Sequence, residues 1–267
     1  MKTLNTNGVT QQFFSRLSET SEPVLLLDYD GTLAPFTPQR DEARAYPGVK
    51  QLLQRICRET KTRLVMITGR PAWELRSILR LDPIPEIWGN HGFERLSPSG
   101  EYQTAPADDR QLRALLSARN ALVSLNLHPR VEQKPAGLAV HWRGLATAAA
   151  DHARNLSLYV CQPIAEESGL RLTEFDGGIE LCLSNCGKGY AVQRVLSEVG
   201  EGSAVAYLGD DDTDEDAFRA LRPQDMAVLV RPQYRDTCAQ VWLKPPEELL
   251  RFLGGWLTAC GGVLWDV

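Results

Sequence analysis

The sequence predicts an α/β protein: a Rossmann-like doubly wound core with a parallel sheet, and a smaller α+β domain inserted into it. Three observations carry this. Short apolar runs at Val24–Leu27, Leu64–Ile67 and Ala204–Leu208 each stop at a polar, Gly-containing turn and give way to segments of helical period, the pattern of a parallel sheet covered on both faces. Between about 108 and 184 that alternation is replaced by helix, hairpin, helix, hairpin, which describes an antiparallel module. The chain has 267 residues, 43% hydrophobic and 24% charged, enough for one large domain or two smaller ones. The expected division is a core at 1–107 and 185–267 around an insertion at 108–184.

Charge and composition narrow the class. A formal net charge of −5 without a Lys/Arg block gives no reason to expect nucleic acid as a partner. The first 20 residues hold no apolar core of signal length, and the most apolar late segment, 254–265, is too short to span a bilayer, so the expectation is a cytoplasmic protein that makes no membrane contact. Six scattered cysteines without a CxxC pair suit reduced thiols better than a disulfide framework or a zinc site. A monomer acting on a small molecule is expected.

Taken in order, the first strand, within Val24–Phe36, delivers Asp28 and Asp30 to its end before Gly31 turns the chain. If the extended geometry persists, the two acids share a side and Tyr29 faces the other way. A capped strand end explains one acid well and two poorly; like charges leaving an apolar strand call for a cation or donors. Pro47 and Gly48 open a helix through Val49, Leu52, Leu53 and Ile56. The second strand ends at Thr68-Gly69-Arg70-Pro71, and in parallel sheets such carboxyl ends hold the ligand, which puts Thr68 on the same rim as Asp28. A third rim segment lies at Glu86–Gly92 with Asn90 and His91; a lone loop histidine is as readily structural as functional.

In the insertion, two hairpins turn at Pro135-Ala136-Gly137 and Asp176-Gly177-Gly178, with helices at 108–125 and near Leu145–Tyr159. Arg130, Glu132 and Lys134 alternate on the first strand and face one way; periodicity alone favours a solvated face. Beyond the insertion, Lys188 stands at a helix start. Gly187-Lys188-Gly189 is not a Walker loop, since Cys182 stands where that motif needs Gly and Gly189 where it needs Ser or Thr. The fourth strand runs into Asp210, Asp211, Asp212, Asp214, Glu215 and Asp216. A calcium loop is excluded because Glu215 and Leu221 occupy the places of its Gly and Glu. A helix start capped by Thr213 or Asp212 explains the later acids but leaves Asp210 and Asp211 for a metal. A strand at 226–232 and a helix around Glu247–Cys260 complete the core.

Two acids, a hydroxyl, a lysine and further acids on one rim suggest phosphoryl transfer. A carboxylate approaching a dianionic phosphate needs an intervening cation, and magnesium suits an all-oxygen donor set. Lys188 and Thr68 would supply charge and a donor to the phosphate oxygens, and Asp30 would move the proton.

Asp28-Tyr29-Asp30-Gly31-Thr32, Thr68 after a strand, Lys188 before a helix and Gly209-Asp210-Asp211-x-x-Asp214 resemble, in order and placement, the four motifs of the haloacid dehalogenase superfamily of phosphatases. The resemblance implies Asp28 as nucleophile, Asp30 as general acid/base, and Mg2+ held by Asp28, the Asp30 main-chain carbonyl, Asp210 and Asp214, with Asp211 replacing or assisting one of them. The dehalogenases themselves lack the second acid. Over nearly the whole chain, LLLDYDGTLAPF, ITGRP, GNHGFE, RVEQKPAGLAVHWR, GIEL, GKG and GDDDTDEDAF are similar to segments of the trehalose-6-phosphate phosphatases. By that resemblance the insertion is a cap that closes over a sugar, Arg130, Glu132, Lys134 and Glu180 contact it, and Arg70, Asn90 and His91 are rim contacts. The implied activity is hydrolysis of trehalose 6-phosphate. Another sugar-phosphate phosphatase or a phosphomutase is the alternative within enzymes, and a sugar-phosphate-binding protein with a decayed site is the alternative outside them.

Overall fold

A computed structural model describes residues 6–37, 43–106, 108–175, 177–184 and 186–263. In chain order the elements are α1 (Thr6–Glu19), β1 (Pro23–Leu27), α2 (Val49–Glu59), β2 (Arg63–Ile67), α3 (Ala72–Leu79), β3 (Glu86–Gly89), β4 (Glu94–Leu96) and β5 (Tyr102–Thr104), then α4 (Asp109–Ser124), β6 (Val131–Lys134), β7 (Gly137–His141), α5 (Thr147–Ser168), β8 (Arg171–Phe175) and β9 (Gly178–Cys182), and finally α6 (Lys188–Leu196), β10 (Ala204–Gly209), α7 (Asp212–Ala220), β11 (Met226–Val230), β12 (Val241–Leu243) and α8 (Glu247–Ala259). The chain forms two compact units, Met1–Thr104 with Gly187–Val267, and Ala105–Cys186.

The first unit is built on an eight-stranded sheet of order β12-β11-β10-β1-β2-β3-β4-β5. It is parallel from β12 to β3, and β4 and β5 extend it antiparallel. Strand β1 is central, and alternation sends its residues into two layers. Leu25 and Leu27 pack with Leu53 and Ile56 of α2 and Phe252 and Trp256 of α8. Val24 and Leu26 pack on the other side with Val192 and Val195 of α6 and Phe218 of α7. Burial on both faces explains why β1 reads as an unbroken apolar run, each buried leucine contributing about 1.5–3 kcal/mol. The carboxyl ends of β1, β2 and β10 therefore share one edge of the sheet.

The second unit is a four-stranded antiparallel sheet, β6-β7-β9-β8, with α4 and α5. Leu138, Val140, Ile179 and Leu181 are buried on one face, and Glu132, Ala139, Glu180 and Thr173 form a cross-strand row on the opposite face.

Local boundaries differ from expectation in ways with clear causes. Helix α5 continues through Pro163 to Ser168, beyond the expected end at Tyr159, and stops at Gly169 in the left-handed region, which serves as its C-cap. Arg130 is not on β6; it closes a single 3-10 turn, His128–Arg130, ahead of the strand. Asp176 of the second hairpin turn and the last two residues of the apolar segment 254–265 lie outside the described residues. Among the described residues no helix is long and apolar enough to cross a membrane. All six cysteines are free.

Candidate active site

Strand β1 ends at Leu27, one residue before the first acid, and the ladder continues for one more bond as Asp28 N–H donates to Leu208 at 3.0 Å. The chain then curls back, with Leu33 and Ala34 N–H donating to the Tyr29 carbonyl at 2.9 and 3.0 Å. Gly31 sits at φ +88, and a Cβ there would lie 2.0 Å from Asp210 Oδ2, so both the turn and the approach of β10 require glycine. The regular strand thus ends before the two acids, and their carboxylates have different partners. Tyr29 does face the other layer, where its hydroxyl donates to Ala43 O at 3.3 Å.

Asp28 joins a buried cluster. Lys188, at the first position of α6, donates to Asp28 Oδ1 and to Asp214 Oδ1, each at 2.7 Å. Thr32 Oγ1 donates to Asp28 Oδ2 at 3.0 Å and lies 3.3 Å from Asp210 Oδ1. The side chains of Asp28 and Lys188 are each 4% exposed and that of Asp214 is 0% exposed, so these charges act on one another with little screening. Burial, followed by the charge of Asp214, pushes the Asp28 carboxyl up to about 7, against the opposing pull of Lys188. Burial and the charges of Asp28 and Asp214 push Asp210 up to about 9. Burial disfavours the Lys188 ammonium, but Asp214 and Asp28 outweigh it and hold it protonated.

Helix α7 is capped one residue before Asp212 and two before Thr213, the two expected caps. Asp211 is its N-cap, accepting from Asp212 N–H at 2.7 Å and from the N–H of Asp214 in a capping box. This places Asp211 in a structural role that the run of acids disguised. Asp214 returns its own Oδ2 to Asp210 and Asp211 N–H at 3.1 and 3.0 Å, while Oδ1 accepts from Lys188 and from Tyr207 Oη at 2.6 Å. Gly209 is needed here too, because a Cβ would stand 2.3 Å from Asp214 Cγ.

The donor set fits a hard divalent cation. Asp28, Asp210 and Asp214 each present a carboxylate oxygen, all within 4.8 Å of one another. Among the described residues these three form the group able to hold a metal. Within it Asp214 is saturated by four donors, whereas Asp210 has one long contact, to Thr32. Converging acids left so poorly compensated are what a divalent cation relieves.

Asp30 is held elsewhere. Both its oxygens accept from Arg70, Nε and Nη2, at 2.7 Å, and Arg70 also pairs with Glu74 of α3. Arg70 is 0% exposed and its guanidinium lies 5.8 Å from the Tyr29 ring centroid, so it stands under Asp30 instead of on the rim as expected. Thr68 is buried and its Oγ1 accepts from Arg70 N–H at 3.1 Å, which leaves the hydroxyl proton to donate. Asn90 and His91 both adopt left-handed φ, 47 and 56. Asn90 Nδ2 donates to Glu94 at 2.7 Å, and the His91 main chain ties Thr68 O (2.9 Å) to Gly187 N–H (2.7 Å), linking the end of β2 to the start of α6.

In the second unit Lys134 donates to Glu180 at 3.1 Å and Glu132 lies 2.8 Å from His141 Nε2, all on the face away from the helices. Their side chains are 21 to 46% exposed.

The sequence named Thr32 only as a motif letter and Glu215 only as a first-turn acid, and gave no sign of Tyr207, Glu74, Arg231 or Arg235. Tyr207 reads as another apolar strand residue, and Arg235 lies in a loop with no periodicity; no local signal marks either.

Comparison with known proteins agrees with this geometry. Residues 26–240 match the trehalose-phosphatase family. Among similar proteins are the trehalose-phosphate phosphatases of Mycobacterium leprae, 31% identical over 93% of this chain and 59% of that protein, and of Mycobacterium tuberculosis, 32% identical over 86% and 60%. The chain thus spans about three fifths of the length of these curated relatives. The fold is shared with an Aspergillus fumigatus trehalose-6-phosphate phosphatase (TM-score 0.73, 20% identity, 93% of this chain and 96% of that one) and with a haloacid dehalogenase-like hydrolase from Bacteroides thetaiotaomicron (TM-score 0.59, 15% identity, 88% and 99%). Its match over most of its length, on a haloacid dehalogenase-like core, shows that the chain belongs to the trehalose-phosphatase family.

Proposed function

We propose that the chain is a magnesium-dependent phosphatase that hydrolyses trehalose 6-phosphate to trehalose and phosphate through an aspartyl-phosphate on Asp28. The observation that carries this reading is the buried carboxylate of Asp28, hydrogen-bonded to Lys188 and Thr32 beside the weakly engaged Asp210. Asp28 and Asp210 would hold Mg2+ through their carboxylates and Asp30 through its main-chain carbonyl, while Asp214 orients Lys188 and the loop of Asp210. When bound, the ion neutralises phosphate and carboxylate charge and lets the two approach.

An Asp28 oxygen attacks phosphorus and the P–O bond to the sugar breaks. Asp30 gives its proton to the departing alkoxide, then takes one from the water that hydrolyses the acyl phosphate, so the carboxylate of Asp28 is regenerated. Lys188 and Thr68 stabilise the charge on the transferring group. Arg70 holds both oxygens of Asp30 before reaction. Proton delivery therefore requires the Asp30 carboxylate to turn away from Arg70 and take up a proton from water before the alkoxide leaves, and Arg70 acts by parking Asp30 in its unprotonated form.

Glu132, Lys134 and Glu180, with Arg130 from the preceding turn, are the proposed readers of the sugar hydroxyls, and Asn90 and His91 shape the rim. The protein is proposed to act in the cytoplasm as a monomer. The test is phosphate release across a panel of sugar phosphates with and without Mg2+. Trehalose 6-phosphate is expected to be the preferred substrate and chelation to abolish turnover. Faster release from an unrelated sugar phosphate, or transfer of phosphate to a sugar instead of water, would replace this reading.

A further inference from the structure

Glu215, Arg231 and Arg235 take no part in the reaction described above, yet they converge on the loop that carries Asp210. That loop is held from its N–H side by Asp214 Oδ2, which accepts from Asp210 and Asp211. Its carbonyls are held by the segment that follows β11. Arg235 Nε donates to Asp210 O at 3.2 Å, Arg235 Nη2 to Asp211 O at 2.7 Å, and Arg231 Nη1 to Asp210 O at 3.3 Å. Arg235 is oriented in turn. Glu215 Oε1 accepts from Arg235 Nη1 and Thr237 Oγ1, each at 2.7 Å, and its Oε2 accepts from Cys238 N–H at 2.8 Å. Glu215 is buried and the Arg235 side chain is 18% exposed, so this is no loose surface pair.

An ion pair that merely joins α7 to the next loop would explain the contact between Glu215 and Arg235. It would not explain why the guanidinium grips the main-chain carbonyls of two consecutive residues, the first of which bears the least engaged carboxylate of the cluster. We propose that Arg235, set by Glu215, is a positioning residue for divalent-cation binding at Asp210; the inference rests on the reading of Asp210 as a magnesium ligand. With its peptide groups fixed on both sides, the main chain that carries the carboxylate is already in place, and binding loses less free energy to ordering it.

The test is Mn2+ binding to the full chain, read from the electron paramagnetic resonance of the free ion and by competition with Mg2+, at a temperature where circular dichroism shows every variant folded. Arg235→Ala is expected to raise the Mn2+ dissociation constant roughly tenfold or more. Arg235→Lys, which can reach one carbonyl, is expected to recover part of the loss, and Glu215→Gln to fall between wild type and Arg235→Ala. A purely structural role would lower the melting temperature and leave the dissociation constant where it was. Wild-type affinity in both Arg235→Ala and Glu215→Gln overturns the proposal and leaves the magnesium reading intact. Failure of the wild type to bind Mn2+ or Mg2+, or undiminished binding by Asp210→Asn, overturns the magnesium reading and this proposal with it. If Arg235→Ala does not fold, Arg235→Lys and Glu215→Gln decide.

Discussion

The two sheets carry charge in opposite ways. At the carboxyl edge of the eight-stranded sheet, Asp28, Lys188 and Asp214 are at most 4% exposed, and each has two or more charge-assisted partners. On the open face of the four-stranded sheet, Lys134, Glu180, Glu132 and His141 are 21 to 46% exposed and paired once. A buried, mutually constrained set fixes geometry to within the tolerance of a bond-forming step. A half-exposed set with one partner each can exchange that partner for a hydroxyl at little cost. The first suits chemistry and the second suits recognition, and the two should respond differently to substitution.

Asp28→Asn should show the sharpest response. Turnover is expected to fall at least about a thousandfold with circular dichroism unchanged. Substantial residual activity would remove Asp28 as nucleophile. Next in size is Lys188→Ala, which leaves Asp28 and Asp214 facing each other without their shared cation. Breaking so buried a pair should cost about 3–5 kcal/mol, measured by denaturant unfolding, with part restored by Mg2+. A loss below about 1 kcal/mol would mean that the cluster is more hydrated than its burial indicates.

Lys134→Ala and Glu180→Gln address the other sheet. Each should lower kcat/KM for trehalose 6-phosphate by roughly ten- to a hundredfold while changing a small aryl phosphate ester no more than about twofold. Equal losses on both substrates would make the face structural.

The smallest effect is a dependence of metal stabilisation on pH. Unfolded, Asp28 and Asp210 would lose their protons near 3.8; folded, they retain them up to about 7 and about 9. Between those limits the folded chain binds more protons than the unfolded one, so its metal-free stability falls as pH rises. Because Mg2+ takes the ionised carboxylates, its effect on the melting temperature should be larger at about pH 8.5 than at about pH 6. A shift that did not grow with pH would show that the carboxylates are already ionised without metal.

The parallel core sheet and the edge that bears the site were legible because they follow from local signals: apolar runs of strand length, Gly turns and helical periods. The acids after β1 and β10 were legible for the same reason, whereas the order of the strands was not. What remained hidden depends on contacts far apart in the chain. Arg70 looks like an exposed loop residue until Asp30, forty residues earlier, curls back onto it. Asp211 is indistinguishable from its neighbours in a run of acids until the capping box assigns it to α7. Arg130 fits the alternation of a strand, but a 3-10 turn containing Pro129 holds it outside β6. The helix expected to end near Tyr159 runs on to Ser168, where Gly169 caps it.

The most direct measurement is chemical trapping of the phosphorylated enzyme. Wild-type protein turning over trehalose 6-phosphate with Mg2+ is quenched with acid, reduced with borohydride and mapped by mass spectrometry. Conversion of Asp28 to homoserine, absent when substrate is omitted, is the expected result. Modification of a different aspartate in its place would contradict Asp28 as the residue that attacks phosphorus.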